Sequence, residues 1–312
     1  MNPRPFDWRD LPALHRYRNE SVFLDSALLL TRGALLVPGV LFSYLAPSLS
    51  VFTSVIDGEK KGEPHIMGQF IHLAGASLSH LTFLAPQEAL ESTMVCALVE
   101  YMMALSGERG ALRLLADVDE HSLAVESLRR CGFAIYNRQR IWQLVSRKSE
   151  EPHKHKWRTA SDMDVIPVRN LYNNLVPGLV QQIEPFLQKP RGMVHYENGE
   201  LLAYVELKYG HRGIWAQPFI HPGVEDVASR LSDLLKKIWV RRSQPIYFCV
   251  RSYQSWLESA IEELGAEVGP RLAVMVRQLV VQQRAARPFA LPALEGGQAE
   301  ITTVPIVRME NS

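Results

Sequence analysis

Two titratable side chains interrupt apolar runs that read as strands. His80 falls within Leu78 to Ala85, and Glu206 within Leu201 to Tyr209. An imidazole titrates near neutrality and a carboxylate can be tuned towards it, so either could move a proton to or from a reacting group. Each also has an ordinary role, as a hydrogen-bonded histidine or as a carboxylate on the solvent face of a hairpin. Metal chemistry is not indicated. His153 and His155 stand two apart without a supporting carboxylate or thiol cluster, and read as part of a solvated linker. The three cysteines, Cys96, Cys131 and Cys249, are too few and too scattered for a zinc site or a disulfide framework. They read as buried thiols and suit a reducing cytoplasm.

The elements that must position His80 and Glu206 recur twice along the chain. Arg4-Pro-Phe-Asp-Trp-Arg-Asp10-Leu11 lies without gaps over Arg158-Thr-Ala-Ser-Asp-Met-Asp164-Val165. Both read as a short strand followed by an Asp entering a helix. In the first half helix candidates run from Asp10 to about Arg32. Strands follow at Val51 to Asp57, Ile66 to Leu73 and Leu78 to Ala85, with Pro86 ending the third and a helix at about Leu90 to Leu105. In the second half Met193 to Tyr196 and Leu201 to Tyr209 flank an Asn198-Gly199 hairpin turn. Ile214 to Ile220 is the next strand, where Pro218 predicts an edge or a bulge. Pro222 and a helix from Val227 to about Arg241 complete the order.

Each half closes alike. Leu112 to Ala116 reads as a buried strand. A helix follows with Ala124, Leu128 and Cys131 at helical spacing, then a stop at Gly132-Phe133 and another strand. Ile246 to Leu279 repeats this with Gly265-Ala266. The closure resembles the last third of the GNAT superfamily of acyl-CoA-dependent N-acyltransferases, whose helix carries Asn-x-x-Ala-x-x-x-Tyr. His121, Ala124 and Leu128 fall at those positions in the first copy, and Gln254, Leu257 and Ile261 in the second. The family tyrosine, which commonly protonates the leaving thiolate, is Leu or Ile here. Tyr136 and Tyr253 lie nearby, and no spacing selects either as a substitute.

The resemblance implies an α/β (α+β) fold of two tandem GNAT-like domains, each a mixed, splayed sheet flanked by helices. The expected division is domain 1 over 1–146, a linker over 147–156, domain 2 over 157–281 and a surface tail over 282–312. A single continuous sheet, or halves that do not superimpose, would end the case for this duplication. The resemblance also implies acetyl-CoA or another acyl-CoA as co-substrate, with no metal, and a small-molecule amine or peptide as acceptor. Such a cofactor is gripped by backbone N–H groups at a helix start, where glycines allow close approach. The two loops offer Ala89-x-x-Ser92-x-Met94 and Glu225-x-x-Ala228-x-Arg230 instead. The implied cofactor-binding residues are Phe83, Leu84, Ala85, Ala89 and Ser92, and in the second copy Phe219, Ile220, His221, Glu225 and Ala228. The implied catalytic residues are His80 and Glu206. An open splay between strands four and five beside His80 would favour an enzyme. Loss of the loop glycines and both tyrosines would favour a non-catalytic protein that binds a ligand or partner.

Composition narrows the partners. A net charge of +1 over 312 residues gives no general attraction to nucleic acid or anionic lipid. The uncharged stretch Gly33 to Ile56 is broken by Pro38, Pro47 and Gly39, and reads as buried helix, loop and strand rather than a membrane span. Its Gly33 to Pro47 part lies where the resembled family forms the acceptor-side wall, so it reads either as buried packing or as an apolar acceptor pocket. Lys236, Lys237, Arg241 and Arg242 read as a solvated helix face, and Trp142, Trp215, Trp239 and Trp256 as core. The sequence leaves oligomerisation open.

Overall fold

The computed structural model describes residues 2–34, 51–58, 65–145, 155–186, 189–238 and 244–279. Their strands are β1 (Arg4–Pro5), β2 (Val22–Phe23), β3 (Val51–Ile56), β4 (Ile66–His72), β5 (Leu78–Ala85), β6 (Arg113–Asp119) and β7 (Ala134–Leu144) in the first half. The second half supplies β8 (Trp157–Thr159), β9 (Gly192–Glu197), β10 (Glu200–Tyr209), β11 (Ile214–Ile220), β12 (Ile246–Arg251) and β13 (Glu267–Gln278). The helices are α1 (Leu11–Arg16), α2 (Ser26–Arg32), α3 (Thr93–Glu108), α4 (Leu123–Arg130), α5 (Val165–Leu175), α6 (Gly178–Ile183), α7 (Val227–Ile238) and α8 (Leu257–Glu263).

The strands form one sheet in the order β1-β3-β4-β5-β6-β13-β7-β12-β11-β10-β9-β8, with β2 on β5 outside that path. Two separate sheets were expected and one continuous sheet is found, which is the outcome set against two independent like-built domains. The order is symmetric about the β13–β7 pair. Each side has five strands of its own half of the chain, then one from the other: β13 continues the first, β7 the second. Each side also contains one parallel pair among antiparallel neighbours, β5 with β6 and β11 with β12. Final strands are exchanged across the middle, so the central edges are covered by pairing. The sheet is continuous for that reason, while the strand order within each side still follows the repeat read in the sequence.

Local sequence accounts for the elements that flank the exchange. Gly132 and Gly265 take φ of 84° and 82°, the left-handed stop that lets α4 and α8 turn back into β7 and β13. Asn198 and Gly199, at φ 51° and 83°, make the β9–β10 turn. The paired segments noticed in the sequence build matching brackets. Arg4 donates from both terminal nitrogens to Asp10 at 2.7 and 2.8 Å, and Arg158 does the same to Asp164 at 2.7 and 2.5 Å. Leu98, Val99 and Met102 of α3 with Leu128 of α4 cover one side of the sheet, and Leu231 and Leu234 of α7 with Leu257 and Ile261 of α8 cover the other. Each such side chain contributes roughly 1.5–3 kcal/mol through burial.

Several expectations are corrected. Two helices, α1 and α2, lie within the Asp10 to Arg32 range, and a 3-10 turn and β2, which were not expected, separate them. Asp25 caps α2 by accepting from the Leu28 N–H at 2.9 Å. Pro218 causes no bulge, since β10 and β11 pair in unbroken register through it. It lies past the last β11–β12 pair, so its missing N–H takes nothing from that ladder. Register shifts occur elsewhere, where Gln69 and Phe70 of β4 face Phe83 and Leu81 of β5, and between Leu201 and Ala203 where β10 pairs with β9. Cys96 and Cys131 are not thiols but a disulfide, because α3 packs on α4 and brings their Cα atoms to 4.8 Å across 35 residues. The thiol argument for the cytoplasm goes with them. Lys236 is buried and pairs with Asp233 at 2.8 Å, and Trp256 is 38% exposed rather than core. Arg241, Arg242, Trp239, most of Gly33 to Ile56, His153, most of the linker and the tail lie outside the described residues. No described helix is long and apolar enough to cross a membrane.

Candidate functional site

The two parallel pairs each open into a splay. In the first half β5 and β6 pair at Leu78, Ser79 and His80 with Arg113, Leu114 and Leu115, then part. The chain itself fills the gap. Val22 and Phe23 pair with Leu84 and Phe83, the Leu24 N–H donates to Thr82 O at 2.8 Å, and Leu24 O accepts from the Asp117 N–H at 2.9 Å. Leu24 is 1% exposed, within the core under α3. The loop beyond is committed too. The Gln87 N–H donates to Glu20 O, and the Ala89 N–H to Pro86 O. Arg130 donates to the Leu90 and Glu91 carbonyls, and Ser92 Oγ accepts from the Met94 N–H to cap α3. Phe83, Leu84, Ala89 and Ser92 are therefore engaged by this protein's own groups, while Ala85 is buried and pairs with Met67. His80 stands at the apex of a splay that is closed.

The second splay differs. β11 and β12 pair at Ile214, Trp215 and Ala216 with Ile246, Tyr247 and Phe248, and then diverge. Among the described residues no backbone segment bonds into the gap. Phe219, on the parting part of β11, stacks on Tyr204 with ring centroids 6.0 Å apart and meets Tyr172 at 5.5 Å. Ile220 packs in the core beneath α7. His221 accepts from the Gly223 N–H at its Nδ1, 3.1 Å away, which fixes the turn into α7. Asp226 takes φ 52° just before the helix, and Arg230 is drawn inward, its Nε donating to Glu225 O. Glu225 and Asp226 are exposed, so solvent screens their charge, and Ala228 is half-buried on the first turn of α7. Gln254, 2% exposed in the turn after β12, has an Nε2 with no hydrogen-bond partner. It falls at the position of the family asparagine, and an orphaned donor there fits an extended ligand in this splay.

Glu206 lies directly opposite Gln217, the first β11 residue beyond the splay apex. Its neighbour Lys208 is 4.0 Å away, and the Lys208 pKa is raised chiefly by the Glu206 charge. The charges of Lys208, Asp25, Glu184 and Arg251 all act on His80, so these titratable groups gather on one face of the sheet, called the cleft below. His80 looks in from β5, with Nδ1 3.9 Å from Asp25 Oδ2, too far for a hydrogen bond. His80 keeps 48% of its side-chain surface, yet the surrounding protein desolvates it and lowers its pKa, against the pull of Asp25. Open surface with dehydrated surroundings is what a side chain lining a deep cleft shows, and at neutral pH its imidazole is uncharged.

The cleft floor is a connected chain of hydrogen bonds. Cys249 Sγ donates to Gln139 Oε1 at 3.3 Å, Gln139 Nε2 donates to Asp117 Oδ2 at 2.6 Å, and Asp117 Oδ1 accepts from the Ser26 N–H at 2.8 Å. Burial, aided by the charge of Asp25, pushes the Asp117 carboxyl up to about 7. A carboxyl whose folded pKa exceeds its unfolded value binds its proton more tightly when folded, so it takes stability away as pH climbs from about 4 towards 7. The urea midpoint of the wild type relative to Asp117→Asn is therefore expected to fall across that interval. A difference that stays flat from pH 4 to 8 would refute the assignment.

Arg251, Glu184, Asp25, Asp117 and Leu24 belong to this arrangement, and sequence reasoning did not single them out as site residues. The available signals were the charge closing the apolar run Ile246 to Val250 and the cap sequence Asp25-Ser26. Tyr136 OH donates to Glu184 Oε1, and burial holds its pKa well above the ordinary range. Tyr253 is likewise pushed up by burial. Leu128 and Ile261 are fully packed in the two cores. No group of three or more metal-ligating side chains occurs among the described residues.

No family sequence model matches the chain, and no curated protein matches it in sequence. Solved structures do match in shape. A GCN5-related N-acetyltransferase from Sphaerobacter thermophilus superimposes with a TM-score of 0.55 at 10% identity, covering 88% of this chain and 95% of its own. A tandem GNAT protein from the clavulanic acid biosynthesis pathway follows at 0.49 and 13% identity, covering 89% and 98%. The fold assignment rests on the first of these. A mixed sheet with two parallel splays, and a likeness spanning most of both chains, give this protein the GNAT fold.

Proposed function

We propose that the chain is an acyl-CoA-dependent N-acyltransferase, most simply an N-acetyltransferase, whose donor site is the splay between β11 and β12. The supporting observation is the contrast between the splays: Leu24 fills the first, while the second is open among the described residues and holds the orphaned amide of Gln254. In this reading 1–146 and 157–281 are repeats of one unit, and the first serves as structure and as the far wall of the cleft. An acyl-CoA bound here would supply the activated thioester carbonyl.

The chain's own residues would do the rest. The backbone of Phe219, Ile220 and His221 lines the splay, and the start of α7 at Ala228 presents helix N–H groups to an anion. Glu206 takes the proton that an ammonium nucleophile must lose before attack. Lys208 orients that carboxylate, and uncharged His80 on the opposite wall can accept a proton in turn. The acceptor is a small amine or a peptide N-terminus reaching the cleft.

One observation favours a second reading, a binding protein without turnover: Leu128 and Ile261 are core residues where the family carries its acid. Turnover of acetyl-CoA in the presence of amines separates the cases, and calorimetry with acetyl-CoA tests the donor site itself. Binding is expected in the wild type and in Ser92→Asp, which alters only the closed first loop. Ala228→Asp, which adds a carboxylate beside the proposed anion site, should weaken it at least tenfold. A carboxylate about 5 Å from a phosphate costs roughly 3 kcal/mol at an effective dielectric near 20. Absence of heat with acetyl-, propionyl- and longer-chain CoA would remove the enzyme reading. Equal loss in both variants would remove the choice of splay.

A further inference from the structure

Arg251 closes β12 with its guanidinium inside the cleft. Its side chain is 9% exposed, yet it makes one ion pair, Nη2 to Glu184 Oε2 at 3.0 Å, and its Nε and Nη1 have no partner. A buried guanidinium with idle N–H groups carries a desolvation cost that a ligand can relieve. Asn137 presents the same condition. It is 7% exposed, and its Oδ1 accepts from the Arg138 N–H at 2.8 Å and from Ser252 Oγ at 3.0 Å. Those two bonds fix which end of the amide is oxygen, so the atom left without a partner is the donor Nδ2.

The sheet puts these donors together. Arg251 pairs with Gln139 across β12 and β7, and Asn137 follows two residues earlier on β7, on the same face. Diagonal neighbours of this kind lie about 7–8 Å apart at their backbones, within reach of an arginine side chain. The face is the cleft face, because Cys249, two residues before Arg251, bonds Gln139 there. The Arg251 charge also acts on His80 and Lys208, which line the open part of the cleft. Tyr136 donates to the other oxygen of Glu184, and its hydroxyl also lies beside the Arg251 guanidinium.

From this juxtaposition we infer that Arg251 and Asn137 bind a carboxylate of the acceptor, making the preferred acceptor an amino acid rather than a simple amine. The inference rests on the acyl-transfer reading for the word acceptor, and on the donors alone for the carboxylate. Charge in the cleft suits a zwitterion: Arg251 and Asn137 face the carboxylate, while Glu206 and Asp25 remain for the ammonium. Glycine, β-alanine and 4-aminobutyrate place those two groups at increasing separations.

The test is calorimetry of the full chain with these three amino acids and with their neutral carboxamides, in the presence and absence of CoA. At least one amino acid is expected to bind ten times or more tightly than its carboxamide. Arg251→Gln and Asn137→Asp are each expected to weaken that binding at least tenfold, with acetyl-CoA affinity changed less than twofold. Should Arg251→Gln fail to fold, Asn137→Asp decides, since it keeps the Oδ1 acceptor and replaces only the idle donor. Carboxamides binding as well as the acids, variants without effect, or no amino acid binding would overturn the carboxylate site. Acetyl-CoA binding without amino-acid selectivity overturns this inference alone. Amino-acid binding without any acyl-CoA binding leaves it standing and overturns the acyl-transfer reading.

Discussion

Glu206→Gln is expected to lower the turnover of acyl transfer by about 10²- to 10⁴-fold, the range for losing a positioned general base, with acetyl-CoA affinity unchanged. The reason is placement. Glu206 pairs with Gln217, one residue past the last β11–β12 pair, so it flanks the point where the sheet begins to open. It is 34% exposed on its side chain, open enough to exchange protons with the cleft. Glutamine keeps the shape and removes only the ability to accept a proton, so a structural role would leave turnover near that of the wild type. His80→Ala should have a smaller effect, because the splay beside it is filled by Leu24. Steady-state kinetics at saturating acyl-CoA measures both variants. Unchanged turnover in both would discard the proposed catalytic residues.

Asp164→Ala is expected to destabilise the protein by about 3 kcal/mol, because a buried carboxylate with several charged and polar partners is removed. Asp164 is 1% exposed and accepts from Arg158 twice, from the N–H and Oγ of Ser161, and from Tyr196 OH at 2.7 Å. The Arg158 hydrogen bonds hold its carboxyl well below the usual carboxylate range. A depressed folded pKa means that the stabilisation is present above about pH 4 and is lost as pH falls below it. Asp10, its counterpart, accepts from Arg4 and the Asp7 N–H and has no tyrosine or hydroxyl donor, so Asp10→Ala should cost less. Urea denaturation of both variants at pH 7 and pH 3 checks this. The Asp164→Ala difference should shrink at pH 3, and equal costs at both pH values would show that the bracket is not electrostatic in origin.

Much of the local structure was legible because short-range chemistry decides it. Gly132 and Gly265 stop their helices, Asn198-Gly199 turns its hairpin, and the Arg4–Asp10 and Arg158–Asp164 brackets form within seven residues of chain, where no distant partner is needed. His80 and Glu206 were legible as titratable interruptions of apolar strands, and both do face the cleft. The closing of the first splay was not legible. Residues 22–24 read as helix by composition, and only their bonds to Thr82 and Asp117, far along the chain, make them a strand. The Cys96–Cys131 bond likewise depends on how α3 meets α4.

The sequence by itself determined the repeated order of strands and helices, since hydrophobic period, caps and turn residues act over a few positions. Only the tertiary structure decided that β7 and β13 change sides, that Leu24 closes one splay while no described backbone segment enters the other, and that Arg251 and Asn137 share a face. Those outcomes depend on which of several similar apolar strands pair, and pairing is settled by the whole sheet at once rather than by any one strand.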